Sequence, residues 1–463
     1  MPKKEYSAVF LNKWDASPFL GLTLNPTNMK NNKTTFSRRK FLGTSLLTTA
    51  GLAALPGMSW AENIKPLADI HQIRLGFIGL GRQSMGLLNG MIKIPGVEVV
   101  AGADVYQVKR ERFELRVSKA YSENGKPSQK VTLHENYKDL LARPDIDAVV
   151  IASPDHWHAL MAIDACKAGK DIYLEKPLTL TIREGQELVK AVRANGTILA
   201  VGSQQRSDLN FQHAVRMVQK GRIGKLEKVL VNVGQPEHPI SYDLPEQKIP
   251  DGLDWKSWLG PLKPIHYNEQ LNPSISLNPE KNETFWGAWR KYKETGGGYM
   301  TDWGAHMFDI AQWGMGMDRN GPSKILPAMN GKPLTYQYTT GVEMVVGAFD
   351  GPTQAVKFVG EKGWIQVSRG KFAASDETLN PIMERPNPGF PPHLFDFIDS
   401  VQKRRDPMVP VEIGHSTCIV CTLGNIANEL QRPLVWDPKT ETFPEDWEAS
   451  TKLHYNYEKG FTL

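Results

Sequence analysis

The segment from Gly296 to Trp313, GGGYMTDWGAHMFDIAQW, is apolar along most of its length but carries three groups able to do chemistry. Asp302, His306 and Asp309 are offset by four and seven positions, which places them on one face of a helix. An imidazole one turn from a carboxylate is typical of a general base and its orienting group. The alternative is that Asp302 and His306 satisfy each other in a core, since unpaired buried polar groups cost free energy.

A lysine follows an apolar, strand-like segment at residues 171–174. Pro177 restricts the backbone of Lys176, so the ammonium group would be held at the carboxyl end of that strand. From there it could polarise a hydroxyl or carbonyl group of a substrate. The alternative is a surface salt bridge between Lys176 and its neighbour Glu175.

Residues 73–93 have the strand, glycine-rich turn and helix of a dinucleotide-binding site. In GLGRQS, residues 79–84 and here called the glycine turn, Gly79 permits the tight turn and Gly81 lets the backbone reach a pyrophosphate. The helix N-terminus supplies amide groups and a positive dipole to the phosphates. Ser84 takes a position where glycine or alanine is usual. The turn residues that we expect to contact the cofactor are Gly79, Gly81, Arg82, Gln83 and Ser84.

A second apolar strand, residues 97–103, ends at Asp104, which lies 23 residues past Gly81. A carboxylate at this place accepts hydrogen bonds from the adenosine ribose and would repel a 2′-phosphate. We therefore expect NAD as the cofactor rather than NADP. The alternative role of Asp104 is that of a helix cap.

Short apolar strands continue to alternate with helices, which predicts a parallel sheet covered on both faces, that is, a doubly wound Rossmann domain over residues 71–203. Its further strands are expected at residues 148–152, 171–174 and 198–201, with helices at 156–168 and 182–194. Ligands bind at the carboxyl ends of such strands. The residues there that we expect at the cofactor are Ser153, His156, His158, Glu175 and Lys176, with Trp157 at the substrate.

A second domain of class α+β is expected over residues 204–463, with a mainly antiparallel sheet. Its strands are expected at 225–233, 335–340, 343–349, 355–359 and 364–367, with helices at 395–402 and 414–430. A long segment from Gln235 to Thr295, here called the insert, is rich in Trp and Tyr. These rings could stack on sugars or pin the insert to the domain. We expect Arg290, His266 and, beyond the insert, Tyr299 near the substrate.

Residues 1–61 resemble an export signal. Ser37-Arg38-Arg39-Lys40-Phe41-Leu42 is similar to a twin-arginine motif, an apolar run follows, and residues 59–61 (SWA) suit a signal peptidase. The run is too short for a membrane span, so none is expected in the mature form. Met29 is the expected true start. The alternative is a disordered tail with a chance arginine pair.

The composition argues against nucleic acid or an anionic membrane as a partner. The net charge of +5 arises in the first 61 residues, since the remaining chain holds 47 basic and 48 acidic side chains. Hydrophobic residues make up 40% and charged residues 23%, as in ordinary globular proteins. The three cysteines, Cys166, Cys418 and Cys421, are expected to be packing residues. With no second cysteine pair nearby, no metal site is expected, although His415 is close.

Together these motifs resemble the Gfo/Idh/MocA oxidoreductase family. GLGRQS, SPDHWH, EKP and a downstream Asp-x-x-x-His occur in order, and the resemblance covers about residues 71–460. It implies a Rossmann domain followed by an α/β domain with an open, mainly antiparallel sheet through which homo-oligomers form. It also implies a nicotinamide cofactor, a polyol, sugar or sugar-derivative substrate, and Lys176, Asp302 and His306 as the catalytic set.

The simplest reaction is hydride transfer from a sugar CH–OH to the nicotinamide. His306 would take the hydroxyl proton, Lys176 would stabilise the oxyanion, and Asp302 would orient the imidazole. An exported enzyme has no free NAD pool, so we expect NAD to be loaded before export to the periplasm and regenerated within each turnover. The enzyme could couple two sugars, or act as a glycosidase or lyase through a transient keto-sugar. A non-catalytic sugar-binding protein on the same scaffold is a further alternative.

Overall fold

The structure, a computed structural model, describes residues 72–125, 130–235, 237–382 and 387–463. The expected export signal at residues 1–61 therefore lies outside the described residues. Within them the chain forms a six-stranded sheet followed by an eight-stranded sheet. The expected fold class, a Rossmann domain and then an α+β domain, is confirmed.

The first sheet is entirely parallel and has the order β3-β2-β1-β4-β5-β6. Its strands are β1 (Ile73–Ile78), β2 (Val97–Ala103), β3 (Thr132–His134), β4 (Ala148–Ile151), β5 (Asp171–Leu174) and β6 (Leu199–Val201). Strands β4, β5 and β6 are buried along their whole length because helices cover both faces. The strand order reverses between β1 and β4, and this switch point opens a crevice at the carboxyl ends of the strands.

The helices between the strands of this sheet in the described chain are α1 (Arg82–Met91), α2 (Gln107–Glu123), α3 (Tyr137–Leu141), α4 (Asp155–Lys167) and α5 (Ile182–Asn195). Helix α5 shows how the local sequence sets a boundary. The side chain of Thr181 accepts from the amide of Glu184, and the Glu184 carboxylate accepts from the amide of Thr181, which completes a capping box. The helix ends at Gly196 in a left-handed conformation, φ 61°.

The second sheet has the order β15-β14-β13-β7-β12-β11-β10-β16, and its neighbours are antiparallel except β12 and β7. Strands β8 and β9 form a separate pair in the insert. The strands are β7 (Leu226–Asn232), β8 (Ser276–Leu277), β9 (Glu280–Lys281), β10 (Lys324–Leu326), β11 (Thr335–Gln337), β12 (Glu343–Val346), β13 (Ala355–Gly360), β14 (Gly363–Ser368), β15 (Lys371–Ala374) and β16 (Leu434–Val435). Strands β10, β15 and β16 were not expected, because they are short and lack clear alternation.

The helices of this half are α6 (Leu209–Gln219), α7 (Trp255–Leu259), α8 (Tyr299–Asp302), α9 (Gly304–Met315), α10 (Pro391–Lys403), α11 (Val411–Leu430) and α12 (Trp447–Ser450). Helices α6, α9 and α11 share one apolar core with the second sheet. Leu394 and Phe397 of α10 instead pack into the Rossmann core. Gly414 at the start of α11 lies against β6, where an added Cβ would be 2.7 Å from Val201. The carboxyl-terminal part of the chain therefore packs on both domains.

The expected single helix through residues 299–313 is interrupted at Trp303, between α8 and α9. The backbone of Trp303 stays in the right-handed helical region, φ −81° and ψ −29°, and the amide of His306 bonds to its carbonyl. Asp302 and His306 therefore stay one turn apart, but at the end of one helix and the start of the next.

Candidate active site

The glycine turn joins β1 to α1 at the edge of the crevice. Gly79 has φ +79°, and a Cβ there would lie 2.7 Å from the amide nitrogen of Ser153, so only glycine fits. A Cβ at Gly81 would meet nothing within 4 Å. The first helical bond runs from the Met85 amide to the Gly81 carbonyl, so the amides of Arg82, Gln83 and Ser84 have no partner within the helix and could bind a ligand.

Asp104 follows β2 and supports this turn. Its Oδ2 accepts from the amide of Leu80 at 2.7 Å, and its Oδ1 accepts from the amide of Tyr106 at 2.8 Å. Tyr106 precedes α2, and no side chain caps that helix. The helix-cap alternative for Asp104 is therefore wrong. The carboxylate lines the crevice, where a ribose could also reach it.

A cavity of about 570 Å³ extends from the glycine turn. The expected cofactor and substrate residues that line it are Gly79, Gly81, Arg82, Gln83, Asp104, Ser153, Trp157 and Arg290. The insert and the carboxyl-terminal segment close other sides through Trp286 and Phe461. Of the remaining expected cofactor residues, Ser84 is fully buried, and its Oγ has no partner among the described residues.

His156 and His158 lie away from the cavity, which corrects their expected contact with the cofactor. The Nε2 of His156 lies 3.0 Å from the Trp258 carbonyl, and His158 contacts the carbonyls of Pro177 at 2.7 Å and Ser153 at 3.0 Å. Burial lowers the pKa of each imidazole to about 4, so both are neutral at pH 7. They fix the loops at the strand ends instead.

Glu175 joins the glycine turn to the segment after β5. Gln83 Nε2 donates to Glu175 Oε1 at 2.7 Å, and the Lys176 amide donates to Oε2 at 3.2 Å. Burial raises the pKa of this carboxyl group above its usual range. The alternative of a surface salt bridge between Lys176 and Glu175 is wrong, because the ammonium group turns to another carboxylate.

That carboxylate is Asp302. Lys176 Nζ donates to Asp302 Oδ1 at 2.6 Å and to the Asp302 carbonyl at 3.2 Å. Arg290 Nε lies 3.5 Å from the same Oδ1. Burial raises the pKa of Asp302, but the charges of Lys176 and Arg290 outweigh it, and the pKa lies below the ordinary value. Asp302 is therefore ionised. Arg290, which lines the cavity, connects the Lys176–Asp302 pair to the cavity wall.

His306 does not use Asp302 as its hydrogen-bond partner, which corrects the expected orienting role. Its Nε2 lies 3.1 Å from Nη2 of Arg369, and its Nδ1 has no partner among the described residues. The side chain is 5% exposed. Burial, followed by the charges of Lys176 and Arg369, lowers the imidazole pKa well below the usual 6.5.

Two further groups at this site were missed by the sequence reasoning. Arg369 follows β14 and lies 63 positions from His306, so no spacing pattern connects them. Asp155 lies inside the SPDHWH motif, and its position was a usable signal. It is 3% exposed, its Oδ2 has no partner among the described residues, and burial raises its pKa to about 8.

Most aromatic residues of the insert pin it to the protein, since Trp255, Trp258, Tyr267, Trp289 and Tyr292 form one buried cluster. Trp286 is an exception: it is 48% exposed and lines the cavity. Its ring contacts the guanidinium groups of Arg82, at 4.8 Å, and Arg290, at 5.4 Å. Glu283 forms a buried ion pair with Arg112 of α2, which ties the insert to the Rossmann domain.

The remaining expected substrate residues occupy different positions. Trp157 is buried at the cavity wall, and its Nε1 donates to the Trp258 carbonyl at 2.9 Å. Tyr299 is half-buried at the start of α8 and packs near Gly234. His266 is exposed and contacts the Leu244 carbonyl at 2.6 Å, so it does not reach this site.

The glycine run before α8 brings the chain close to protein rather than to a ligand, which corrects the expected reason for it. Gly298 has φ +69°, and a Cβ there would lie 2.6 Å from the amide nitrogen of Pro239. A Cβ at Gly296 would lie 2.9 Å from the backbone of Arg290. The run therefore lets the start of α8 pack against both sides of the insert.

Asp309, on the same helix pair, is part of a different cluster. Its carboxylate accepts from Arg206 at 2.8–3.0 Å and from Thr417 at 3.3 Å, and Arg206 also pairs with Asp318. Asp309 is 1% exposed. These bonds give Asp309 a structural role.

The described residues contain no group of three His, Cys, Asp or Glu side chains arranged to hold a metal ion. The three cysteines are buried free thiols. No helix in the described parts of the chain is both long and apolar enough to cross a bilayer.

A nicotinamide dinucleotide fits the residues present. Gly81 leaves open space at the cavity, the first amides of α1 are available to phosphate oxygens, and Asp104 lies at the end of β2 where a ribose binds in such folds. Hydride transfer would be supplied by that group. Lys176, bonded to Asp302, and His306, in contact with Arg369, are the groups whose types could handle a proton.

The sequence of this chain matches known proteins over both of its domains. Residues 73–203 match the oxidoreductase family with an NAD-binding Rossmann fold, named Gfo/Idh/MocA, and residues 239–462 match its C-terminal alpha/beta domain. A glycosyl hydrolase family 109 protein of Shewanella pealeana is 33% identical over 208 residues, 41% of this chain and 44% of that protein. The oxidoreductase YrbE of Bacillus subtilis is 33% identical over 168 residues, 36% and 46% of the two chains. The chain thus spans less than half the length of these relatives.

Solved structures share the fold. The aldose-aldose oxidoreductase of Caulobacter crescentus superposes with a TM-score of 0.55 at 16% identity, covering 79% of this chain and all of that one. GenD2 from gentamicin A biosynthesis, solved with NAD, gives 0.54 at 16% identity, with 80% and 97% covered. The myo-inositol 2-dehydrogenase of Lactobacillus plantarum gives 0.51 at 18% identity, with 79% and 99% covered. At these identities the likeness concerns the fold alone.

Proposed function

Because the chain belongs to the Gfo/Idh/MocA oxidoreductase family, we propose that it is an NAD-dependent oxidoreductase that acts at a CH–OH group of a sugar or sugar derivative. One contact carries this proposal. Arg290 lines the cavity beside the glycine turn and also lies 3.5 Å from Asp302, the partner of Lys176. Arg290 therefore connects the cavity to the Lys176–Asp302 pair, and this connection supports the proposal of one shared site.

The chain's own residues have separable tasks in such a reaction. Ionised Asp302 holds the ammonium group of Lys176 in place, and Lys176 can stabilise negative charge on the substrate oxygen. His306 is neutral at pH 7, as a proton acceptor must be. Its low pKa makes it a weaker base than an ordinary histidine, so the stabilisation by Lys176 has to supply part of the driving force.

We propose that the cofactor stays bound between turnovers. The insert covers the glycine turn through Trp286, and the Glu283–Arg112 pair holds it there. A carboxyl-terminal ring, Phe461, lines the same cavity and packs edge-on to Trp157 at 5.7 Å. The export signal expected from residues 37–61 supports the same idea, because a periplasmic enzyme has no free NAD pool. The Asp104 carboxylate favours NAD over NADP.

A second candidate is a redox-neutral glycosidase or lyase. The relatives named glycosyl hydrolase family 109 favour it. A ring hydroxyl would be oxidised by bound NAD, which acidifies the neighbouring C–H bond. The glycosidic group would then be eliminated, water added, and the ketone reduced by the NADH just formed. Electrons balance within one turnover, so no external oxidant is consumed.

The deciding experiment starts from the protein purified without its first 61 residues. Bound nucleotide is released by denaturation and identified as NAD or NADP. The undenatured enzyme is then given free sugars, pairs of sugars and aryl glycosides with no cofactor added. Sugar-pair turnover supports the oxidoreductase, and glycoside cleavage without net redox supports the second candidate. Protein that carries no nicotinamide and binds it only weakly refutes cofactor retention.

We also propose that subunits associate through the second sheet. Helices α6, α9 and α11 pack into its one apolar core, while Lys357 of β13 and Trp364 of β14 lie together on the other face, 4.1 Å apart. Sedimentation of the wild type and of Trp364→Glu tests this: the variant should shift to a smaller species. An unchanged species would argue for another interface.

A further inference from the structure

We infer that Arg369 is a positioning residue that holds the Nε2 atom of His306 as an unprotonated acceptor until a substrate hydroxyl takes its place. This inference rests on the proposed function, in which His306 receives the hydroxyl proton. It assigns a role to a residue that lies in none of the family motifs recognised in the sequence.

The donor and acceptor in this contact are fixed by chemistry. A guanidinium group has only donors and does not lose its proton in proteins. The 3.1 Å contact from Arg369 Nη2 therefore requires a lone pair on His306 Nε2. A neutral imidazole with a lone pair on Nε2 carries its proton on Nδ1. The contact thus selects one tautomer of His306.

The two ring nitrogens of His306 face different surroundings. Nδ1 is buried and has no partner within the described chain, whereas Nε2 contacts the guanidinium group of Arg369. Arg369 is exposed as a residue, but burial lowers the pKa of its guanidinium group, so its charged end lies inside the protein. A substrate hydroxyl that bonded to Nε2 would have to displace this group.

Arg369 is placed there by rings rather than by an ion pair. Its guanidinium lies 4.7 Å from the Trp303 ring and 5.2 Å from the Phe390 ring. Among the described residues, no carboxylate lies within salt-bridge distance of it. Trp303 separates α8 from α9, so the ring that holds Arg369 belongs to the segment that carries His306. Such contacts orient the group but allow it to be displaced.

The surrounding charges, like the contact from Arg369, disfavour protonation of His306. The titratable groups that face His306 from other elements are Lys176, Arg369 and His393. On its own helix pair, Asp302 and Asp309 are already paired with Lys176 and Arg206. Protonation of Nε2 would break the contact to Arg369 and set two cations against each other. Removal of the guanidinium should therefore make His306 easier to protonate.

Direct titration of His306 in the holoenzyme tests this without any substrate. The chain has 11 histidines, so the imidazole signals of ¹⁵N-histidine-labelled protein are assigned by their loss in His306→Gln. In the wild type we expect a proton on Nδ1 and an accepting Nε2 across neutral pH. In Arg369→Met the pKa should rise by about 1 unit or more, as for removal of a like charge. Arg369→Lys keeps a cation and should show a smaller rise.

The activity readout is the acid limb of the pH profile of kcat/KM. It should move to higher pH in Arg369→Met, while kcat on the plateau changes less. Lys371→Met, an exposed cation on the next strand, is the control and should move neither measurement. A wild-type proton on Nε2, or the same His306 titration in wild type and Arg369→Met, would overturn the inference. Absence of sugar turnover with the expected titration would count against the proposed function alone.

Discussion

Two carboxylates seven positions apart, Asp302 and Asp309, have opposite kinds of surroundings. Asp309 is 1% exposed and receives a forked pair of bonds from Arg206. Asp302 has a side chain 16% exposed, and its Oδ1 is shared by Lys176 and Arg290. A buried ion pair whose polar atoms are satisfied is a structural element. His306 Nδ1 and Asp155 Oδ2 are instead buried without a partner among the described residues, and perturbed groups of this kind are typical of functional sites.

The largest expected effect concerns stability and comes from Asp309. Asp309→Ala leaves Arg206 buried with only Asp318 as partner, and loss of one member of a buried pair costs about 3–5 kcal/mol. Turnover per folded molecule should hardly change. Chemical denaturation and active-site titration measure the two quantities. Asp302→Ala is the matched change, and it should lower turnover with a smaller loss of stability. A larger loss of turnover in Asp309→Ala and a larger loss of stability in Asp302→Ala would refute the assignment of a structural role to Asp309 and a functional role to Asp302.

The second effect concerns catalysis and comes from Lys176. Lys176→Ala removes the cation that we propose stabilises the substrate oxygen, and kcat should fall about 10²–10³-fold, as for loss of one oxyanion donor. Lys452→Ala is the control, since Lys452 forms a surface pair with Glu429 at the same 2.6 Å. An exposed pair is worth about 0–1 kcal/mol, and no change in kcat is expected. Unchanged kcat in Lys176→Ala would favour a non-catalytic, sugar-binding role.

The third effect concerns the free energy of unfolding, which we expect to depend on pH because of Asp155. Its pKa of about 8 in the folded protein is raised above the unfolded value by burial. The folded state therefore holds the proton more tightly, and stability is lost as pH rises from the unfolded pKa to the folded one. Asp155→Asn removes this loss, which amounts to no more than ~1.4 kcal/mol per pH unit. Denaturation midpoints at pH 6 and pH 8 should converge in the variant. An equal pH slope in both proteins would show that Asp155 is ionised.

The same comparison explains what could be predicted from the sequence. The glycine turn and five of the six Rossmann strands depend on local spacing, and the bounds of these five were predicted to within one or two residues, whereas the three-residue strand β3 was not predicted. The partner of Asp302 depends on tertiary structure, because Lys176 lies 126 positions away. A carboxylate one turn from an imidazole suggested an Asp302–His306 bond, but a full positive charge is the stronger partner. Arg369 had no detectable pattern, since only the fold brings the end of β14 to α9.

The smallest expected effect concerns the wall of the cavity rather than the reacting groups. Trp286→Ala removes a ring that contacts both Arg82 and Arg290, and each such contact at an exposed site is worth about 0.5–1 kcal/mol. The bound dinucleotide should therefore dissociate roughly 5–30-fold faster, since 1.4 kcal/mol corresponds to tenfold. Stopped-flow fluorescence of NADH release measures the rate. Trp447→Ala, which removes a tryptophan that is 79% exposed elsewhere, is the control and should leave it unchanged. If both variants release the nucleotide at the wild-type rate, the insert does not retain the cofactor, and retention has to come from the glycine turn and Asp104.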